Sequence, residues 1–248
     1  MKIAFISDIH ANLEALHAVL ANIAEAGCDI TYCLGDVVGY GPNPNECCTL
    51  IREMGIPTTM GNHDEAAADD SCVLGHGTNK LATESIRWTR TVISAEHRQW
   101  LASLPFTIDL PDLGATLCHA NVHNPEGWGY IETPYDAYLT FQRLRRPVCF
   151  YGHTHRSIII SCTGTDGEIE ATVADKVEIT RGARFLVNCG SVGQPRDGDH
   201  RGCYVIFDTT PIPSVVVRRV AYPKEITQQK ILALNLPVQL ALRLGSGK

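Results

Sequence analysis

The sequence predicts an α/β layered fold with helices outside two packed sheets, and three patterns predict it. Strand-length apolar segments alternate with amphipathic helical segments through the first hundred or so residues. A run of strands follows, interrupted by one helix, and the chain ends in two short helices. At 248 residues it can bury one large core, so one domain spanning 1–248 is expected.

"KIAFIS" reads as a strand. "ANLEALHAVLANIAEAG" places apolar residues at helical spacing and stops at Gly27, and "DITYCLG" is strand-like again, completing a βαβ unit. "NPNECCTLIREMG" is a helix opened by proline and closed by glycine, and "IPTTMG" reads as a third strand. Residues 78–103 are mostly helical in pattern, with Ser94 as N-cap of "AEHRQWLASL". Strands then follow at "FTIDL", "ATLCHA", "PVCFYG", "SIIISC", "EIEATV", "RFLVNCG", "CYVIFD" and "SVVVRRVAY", with "PYDAYLTFQRLR" as the intervening helix. "PKEITQQKILALNLPVQLALRLG" gives two helices broken at Pro237. The apolar residues there pack on the core or form a contact in a homo-oligomer.

A 44% hydrophobic, 19% charged chain is an ordinary globular balance, and a net charge of −6 argues against a general nucleic-acid-binding surface. No run approaches the ~20 apolar residues of a membrane span, and "MKIAFISDIH" reaches Asp8 too early for a signal peptide. A soluble cytoplasmic protein without membrane partners is expected. The ten cysteines contain no CxxC pair, and most read as small buried hydrophobes kept reduced in the cytosol.

Chemistry gathers where strands end. Asp8 and His10 follow the first strand, Asp36 the second, and Asn62, His63 and Asp64 the third. His119 closes "ATLCHA", and Gly152 releases "VCFY" into His153 and His155, which in extended chain would project to the same side. Singly, each has an ordinary structural reading as a cap, a turn former or a satisfied histidine. In open α/β sheets, however, ligands bind outside the carboxyl ends of strands, and five such ends carry these residues.

The ordered set DxH, GDxxGYGPNP, GNHD, a lone strand-end histidine and GHTH resembles the calcineurin-like metallophosphoesterase family, in particular its small bacterial phosphodiesterase branch. "NCGSVGQPRDGD" is similar to a glycine-rich segment of that branch, so the resemblance runs from Asp8 to Asp199. It implies a four-layer α/β/β/α sandwich of two mixed sheets and two divalent metal ions bridged by Asp36. Asp8, His10 and His155 would complete one metal site, and Asn62, His119 and His153 the other. It also implies His63 as the acid that protonates the leaving oxygen, with Asp64 orienting its ring. Carboxylate, imidazole and amide donors without thiolate suit Mn²⁺ first, then Fe²⁺, Zn²⁺, Ni²⁺ or Co²⁺. Two such ions against Asp8 and Asp36 would leave about +2, the local positive source that an acidic protein needs for an anionic substrate.

The expected activity is hydrolysis of small soluble phosphate esters, as a phosphodiesterase or nucleotide pyrophosphohydrolase. A phosphomonoesterase or protein phosphatase would use the same core. The same fold also serves as a structural part in a retromer subunit, but a scaffold needs no general acid, and His63 is present beside every ligand. Arg196 either binds substrate phosphate or pairs with Asp197 or Asp199, and the amides of "CGSVGQ" form either an anion nest or a plain turn. Tyr40, His123, Asn124, Trp128 and Tyr130 lie on loops beside the motifs and are candidates for shaping specificity.

Overall fold

The computed structural model describes residues 1–72, 80–164 and 167–248. The first sheet has the order β2-β1-β10-β11-β8 and comprises β1 (Lys2–Ile6), β2 (Ile30–Cys33), β8 (Lys176–Glu178), β10 (Gly202–Asp208) and β11 (Ser214–Val220). The second, β3-β4-β5-β9-β6-β7, comprises β3 (Thr107–Leu110), β4 (Ala115–Cys118), β5 (Val148–Tyr151), β6 (Ile158–Thr163), β7 (Ile169–Thr172) and β9 (Ala183–Asn188). Both are mixed: β1–β2, β4–β5 and β5–β9 run parallel and the other pairs antiparallel.

Strand alternation builds the layers. Ile3 and Phe5 of β1 point between the sheets, where Phe5 stacks on Phe150 of β5 with ring centroids 3.8 Å apart. Their neighbours Ala4 and Ile6 point the other way, against α1 (Leu13–Glu25), α2 (Pro44–Glu53), α3 (Asn62–Ala68) and α5 (Ala95–Ala102). On the far face of the second sheet, Cys149, Tyr151 and Leu186 pack on Phe141 and Ala137 of α6 (Pro134–Arg143). Helix, sheet, sheet and helix are thus the four layers, as the motifs imply.

Two local expectations change. "IPTTMG" makes an isolated parallel bridge, Thr58 with Cys33, in which Cys33 N donates to the Pro57 carbonyl and Thr59 N to the Cys33 carbonyl, and β2 ends there. Asn62, His63 and Asp64 therefore open α3 rather than follow a strand. The helical stretch expected at 78–103 splits into α4 (Lys80–Val92) and α5, with Ser94 accepting from the His97 amide as N-cap; residues 78 and 79 lie outside the described residues.

The terminal helices α7 (Lys224–Ala233) and α8 (Val238–Ser246) separate at Pro237. One side buries Ile231, Leu240 and Leu244 with Tyr40, while Leu232, Val238 and Leu242 face outward. Among the described residues no helix is long and apolar enough to cross a membrane, and all ten cysteines are free.

Candidate metal centre and active site

The face-to-face packing of β1 on β5 sets two chain exits against each other, and the contact is too close for a side chain at residue 152. A Cβ on Gly152 would stand 1.9 Å from Ser7 Oγ and 2.4 Å from Asp8 Oδ2. Gly152 is therefore required for close approach, not for unusual dihedrals. Of the nine non-glycine residues with positive φ among the described residues, five are candidate ligands: Asp8, His10, Asp36, His153 and His155 have φ between 49° and 67°. Non-glycine residues rarely take this left-handed conformation, and its strain, ~1–3 kcal/mol each, collects at functional sites. It also replaces the extended geometry expected for "HTH", and the two imidazoles diverge to different neighbours.

Each of four imidazoles gives one ring nitrogen to a main-chain carbonyl: His10 Nδ1 to Val38 (3.1 Å), His119 Nδ1 to Leu34 (2.8 Å), His155 Nδ1 to Gln194 (2.7 Å) and His153 Nε2 to Trp128 (2.9 Å). The remaining nitrogens turn inward and meet in pairs, His10 Nε2 with His155 Nε2 at 3.0 Å and His119 Nε2 with His153 Nδ1 at 3.1 Å. Two carboxylate oxygens reach both pairs: Asp36 Oδ2 is 3.5 Å from His10 Nε2 and 3.4 Å from His119 Nε2, and Asp8 Oδ1 is 3.7 and 3.9 Å from the same two nitrogens. Asp8 Oδ1 lies 3.2 Å from His155 Nε2. Ligand atoms of Asp8, His10, Asp36 and His155 all fall within 4.8 Å of one another.

This donor set fits a cation. Burial holds both His10 and His155 in the neutral form, so their facing Nε2 atoms oppose lone pair to lone pair, a repulsion that a positive charge removes. Asp8 Oδ1 and Asn62 Oδ1 are buried without hydrogen-bond partners, the condition of oxygens reserved for something else. Burial works against charge here, yet Asp36 and Asp8 lift the His119 pKa to about 9, so the pocket draws positive charge strongly. Conversely, burial holds His153 down at about 3, keeping a lone pair available.

Asp64 plays a different part from the one expected. Its carboxylate accepts from the backbone amides of Asp36 (2.7 Å), Val37 (2.9 Å), Val38 (3.2 Å) and Gly61 (3.1 Å), and it makes no bond to His63. It fixes the turn that carries Asp36, and the His63 ring is instead held between His10 and Tyr40, with centroids 4.9 and 4.5 Å away. His63 Nδ1 is buried and unpartnered, and burial, with Arg196 nearby, brings its pKa down to about 4.

The glycine-rich segment is not an open anion nest. Its amides at 189, 190, 192, 193 and 194 are all engaged within the protein, and two of its groups, Gly193 N and Ser191 Oγ, donate to the Asp8 carbonyl. The segment clamps the Asp8 turn. Arg196 pairs with neither nearby aspartate, since Asp197 is taken by Arg219 and Asp199 by Arg201. Its guanidinium lies 5.5 Å from the Tyr40 ring centre and donates to Gln194 Oε1 at 2.9 Å.

Sequence reasoning missed the carbonyls that aim the histidines, because a main-chain acceptor has no residue-type signature. It also missed Gln194 and Arg243, which reach the site only through tertiary packing. Tyr130, one of the loop residues beside the motifs, stacks its ring on His153 with centroids 4.2 Å apart.

Comparison with known proteins gives the family and the fold. The Calcineurin-like phosphoesterase superfamily domain matches residues 1–211. An uncharacterized protein of Methanocaldococcus jannaschii is 39% identical over 253 residues, covering 99% of this chain and 98% of that one. The crystal structure of a metallophosphoesterase from Sphaerobacter thermophilus superposes with TM-score 0.83 at 37% identity, covering 100% of this chain and 99% of that one. A hypothetical protein from Pyrococcus horikoshii OT3 shares the fold, with TM-score 0.79 at 19% identity, covering 100% and 98%. The buried ligand cluster thus lies in a phosphoester hydrolase fold, and the chain belongs to the calcineurin-like phosphoesterase superfamily.

Proposed function

We propose that the chain is a cytosolic phosphodiesterase or nucleotide pyrophosphohydrolase that works with two divalent ions, Mn²⁺ foremost. The observation that carries this reading is the pair of inward imidazole contacts on either side of Asp36 Oδ2, which lies within 3.5 Å of a nitrogen of each pair. Asp8, His10 and His155 would hold one ion, Asn62, His119 and His153 the other, and Asp36 both. Bound there, the ions would supply Lewis-acid charge that activates water and stabilises phosphoryl oxygens.

The chain's own residues supply the rest. His63 donates a proton to the leaving oxygen. Its buried, unpartnered Nδ1 and its packing between His10 and Tyr40 set the ring beside the ligands, where the leaving group departs. Arg196 binds a phosphate oxygen, and Asp64 keeps Asp36 in place through the main chain. The five charged and imidazole ligands on the floor other than His153 are at most 2% exposed, and His153 only 6%. Such a recessed floor suits a small ester better than a phosphoprotein loop.

The test is the rate on bis(p-nitrophenyl) phosphate against p-nitrophenyl phosphate with Mn²⁺. A higher kcat/KM on the diester is expected; a clear preference for the monoester would make the protein a phosphomonoesterase.

A further inference from the structure

We infer that Arg196 and Arg243 together form a second anion subsite beside the metal floor, which takes a phosphoryl group adjacent to the one being attacked. The inference rests on the hydrolase reading above and narrows its substrates to phosphoanhydrides such as nucleoside diphosphates.

The observation behind it is a pair of half-buried like charges that converge on one spot without a counter-ion. Arg52, Arg90, Arg98, Arg146, Arg201 and Arg219 each meet a carboxylate. Among the described residues, no carboxylate lies within ion-pair distance of Arg196 or Arg243, although the chain carries a net charge of −6. Both guanidiniums are half-buried and converge on the same two groups. They lie 5.5 and 6.0 Å from the centre of the Tyr40 ring, and both donate to Gln194 Oε1, at 2.9 and 3.4 Å. Two cations sharing one neutral oxygen and one ring face repel each other, and burial together with the Arg196 charge lowers the Arg243 pKa. An anion binding both would remove the repulsion and use the fork geometry of each.

The pair is also tied to the reacting floor. Tyr40, on which both rest, packs edge-on against His10 at 4.7 Å and against His63 at 4.5 Å. Gln194 accepts from His155 Nδ1 through its carbonyl, and the Arg196 amide donates to the His155 carbonyl. Arg243 comes from α8, whose buried Leu240 and Leu244 pack in the same cluster as Tyr40. The terminal helix therefore delivers one half of the subsite.

For a phosphoanhydride, hydrolysis forms one P–O bond from water and breaks the bridging P–O bond. The departing phosphoryl group keeps the bridging oxygen and its electron pair, and the water protons pass to the products or solvent. The two guanidiniums would hold that departing charge.

The experiment compares AMP and ADP binding to the Mn²⁺-loaded protein, and kcat/KM on ADP and on bis(p-nitrophenyl) phosphate, for wild type, Arg243→Gln and Arg243→Lys. Wild type should bind ADP more tightly than AMP. Arg243→Gln should lose about 10-fold or more in ADP affinity and in KM, the worth of a charge-assisted hydrogen bond, with a clearly smaller loss on the nitrophenyl diester; Arg243→Lys should fall between. Metal content and thermal stability report whether the variants are intact, and the Lys variant keeps the charge if Gln disturbs α8. Equal AMP and ADP affinity in wild type, or equal fractional losses on both substrates in Arg243→Gln, would overturn the subsite while leaving a phosphodiesterase intact. Inactivity of wild type on the nitrophenyl diester would instead strike the hydrolase reading, and the AMP–ADP binding comparison would still decide the subsite.

Discussion

The floor of the site and its mouth are built in opposite ways. On the floor, four imidazoles are each tied to a main-chain carbonyl, and Asp36 sits on a turn stitched by three amide bonds to Asp64. At the mouth, Arg196 and Arg243 share a single side-chain oxygen, and Tyr130 is 48% exposed. The contrast separates two tasks. Holding a cation needs donors fixed before it arrives, since any rearrangement subtracts from affinity. Accepting a variable anionic group needs charge without a committed partner.

Changes to the floor should therefore cost more than changes to the mouth. Asp36→Asn keeps the volume but removes the shared charge; both metal positions should weaken and activity should fall beyond the ~10²–10⁴-fold worth of a general acid. Two tightly held ions in this variant, measured by elemental analysis, would show that Asp36 is not shared. His63→Ala lies between floor and mouth. It should keep its metals and lose ~10²–10⁴-fold on nucleotide or alkyl esters, but distinctly less on nitrophenyl esters, whose leaving group needs little protonation. Equal losses on both ester types would leave His63 as a phosphate-binding side chain only.

Asp64→Asn tests whether the floor depends on its buried clamp. An amide in place of the carboxylate presents N–H groups to backbone donors, so metal affinity should fall ~10–100-fold, as when an outer partner is lost, and Tm should drop. If Asp64 acted only through the His63 ring, metal affinity would stay unchanged. Gly152→Ala probes the close approach of the two chain exits and is read in stability. Its Cβ would press on Ser7 and Asp8, and overpacking of this kind costs about 1–3 kcal/mol in stability, readable by denaturant unfolding.

The floor was more legible in the sequence than the mouth for the same structural reason. Asp8, Asp36, His119, His153 and His155 follow apolar strands in register along the chain, and strand ends in layered α/β folds converge. The β1–β5 face packing that joins the two halves follows from alternation at Phe5 and Phe150. What escaped was work done by groups without a local pattern. Asp64 follows His63 in sequence, which suggested a partner ring, but the start of α3 turns its carboxylate to the backbone of residues 36–38. Arg243 lies about two hundred residues from Tyr40, and nothing in its own surroundings on α8 marks it as part of a site.

The central claim is that two inward-facing donor sets share Asp36 and bind two divalent ions that hydrolysis requires. It is tested most directly by stripping the protein with chelator, titrating Mn²⁺ back, and following bound metal and bis(p-nitrophenyl) phosphate hydrolysis together. The account predicts an inactive stripped protein, saturation at two ions per chain, and activity that returns as the sites fill. Full hydrolysis by the stripped protein, or saturation at a single ion, would contradict it.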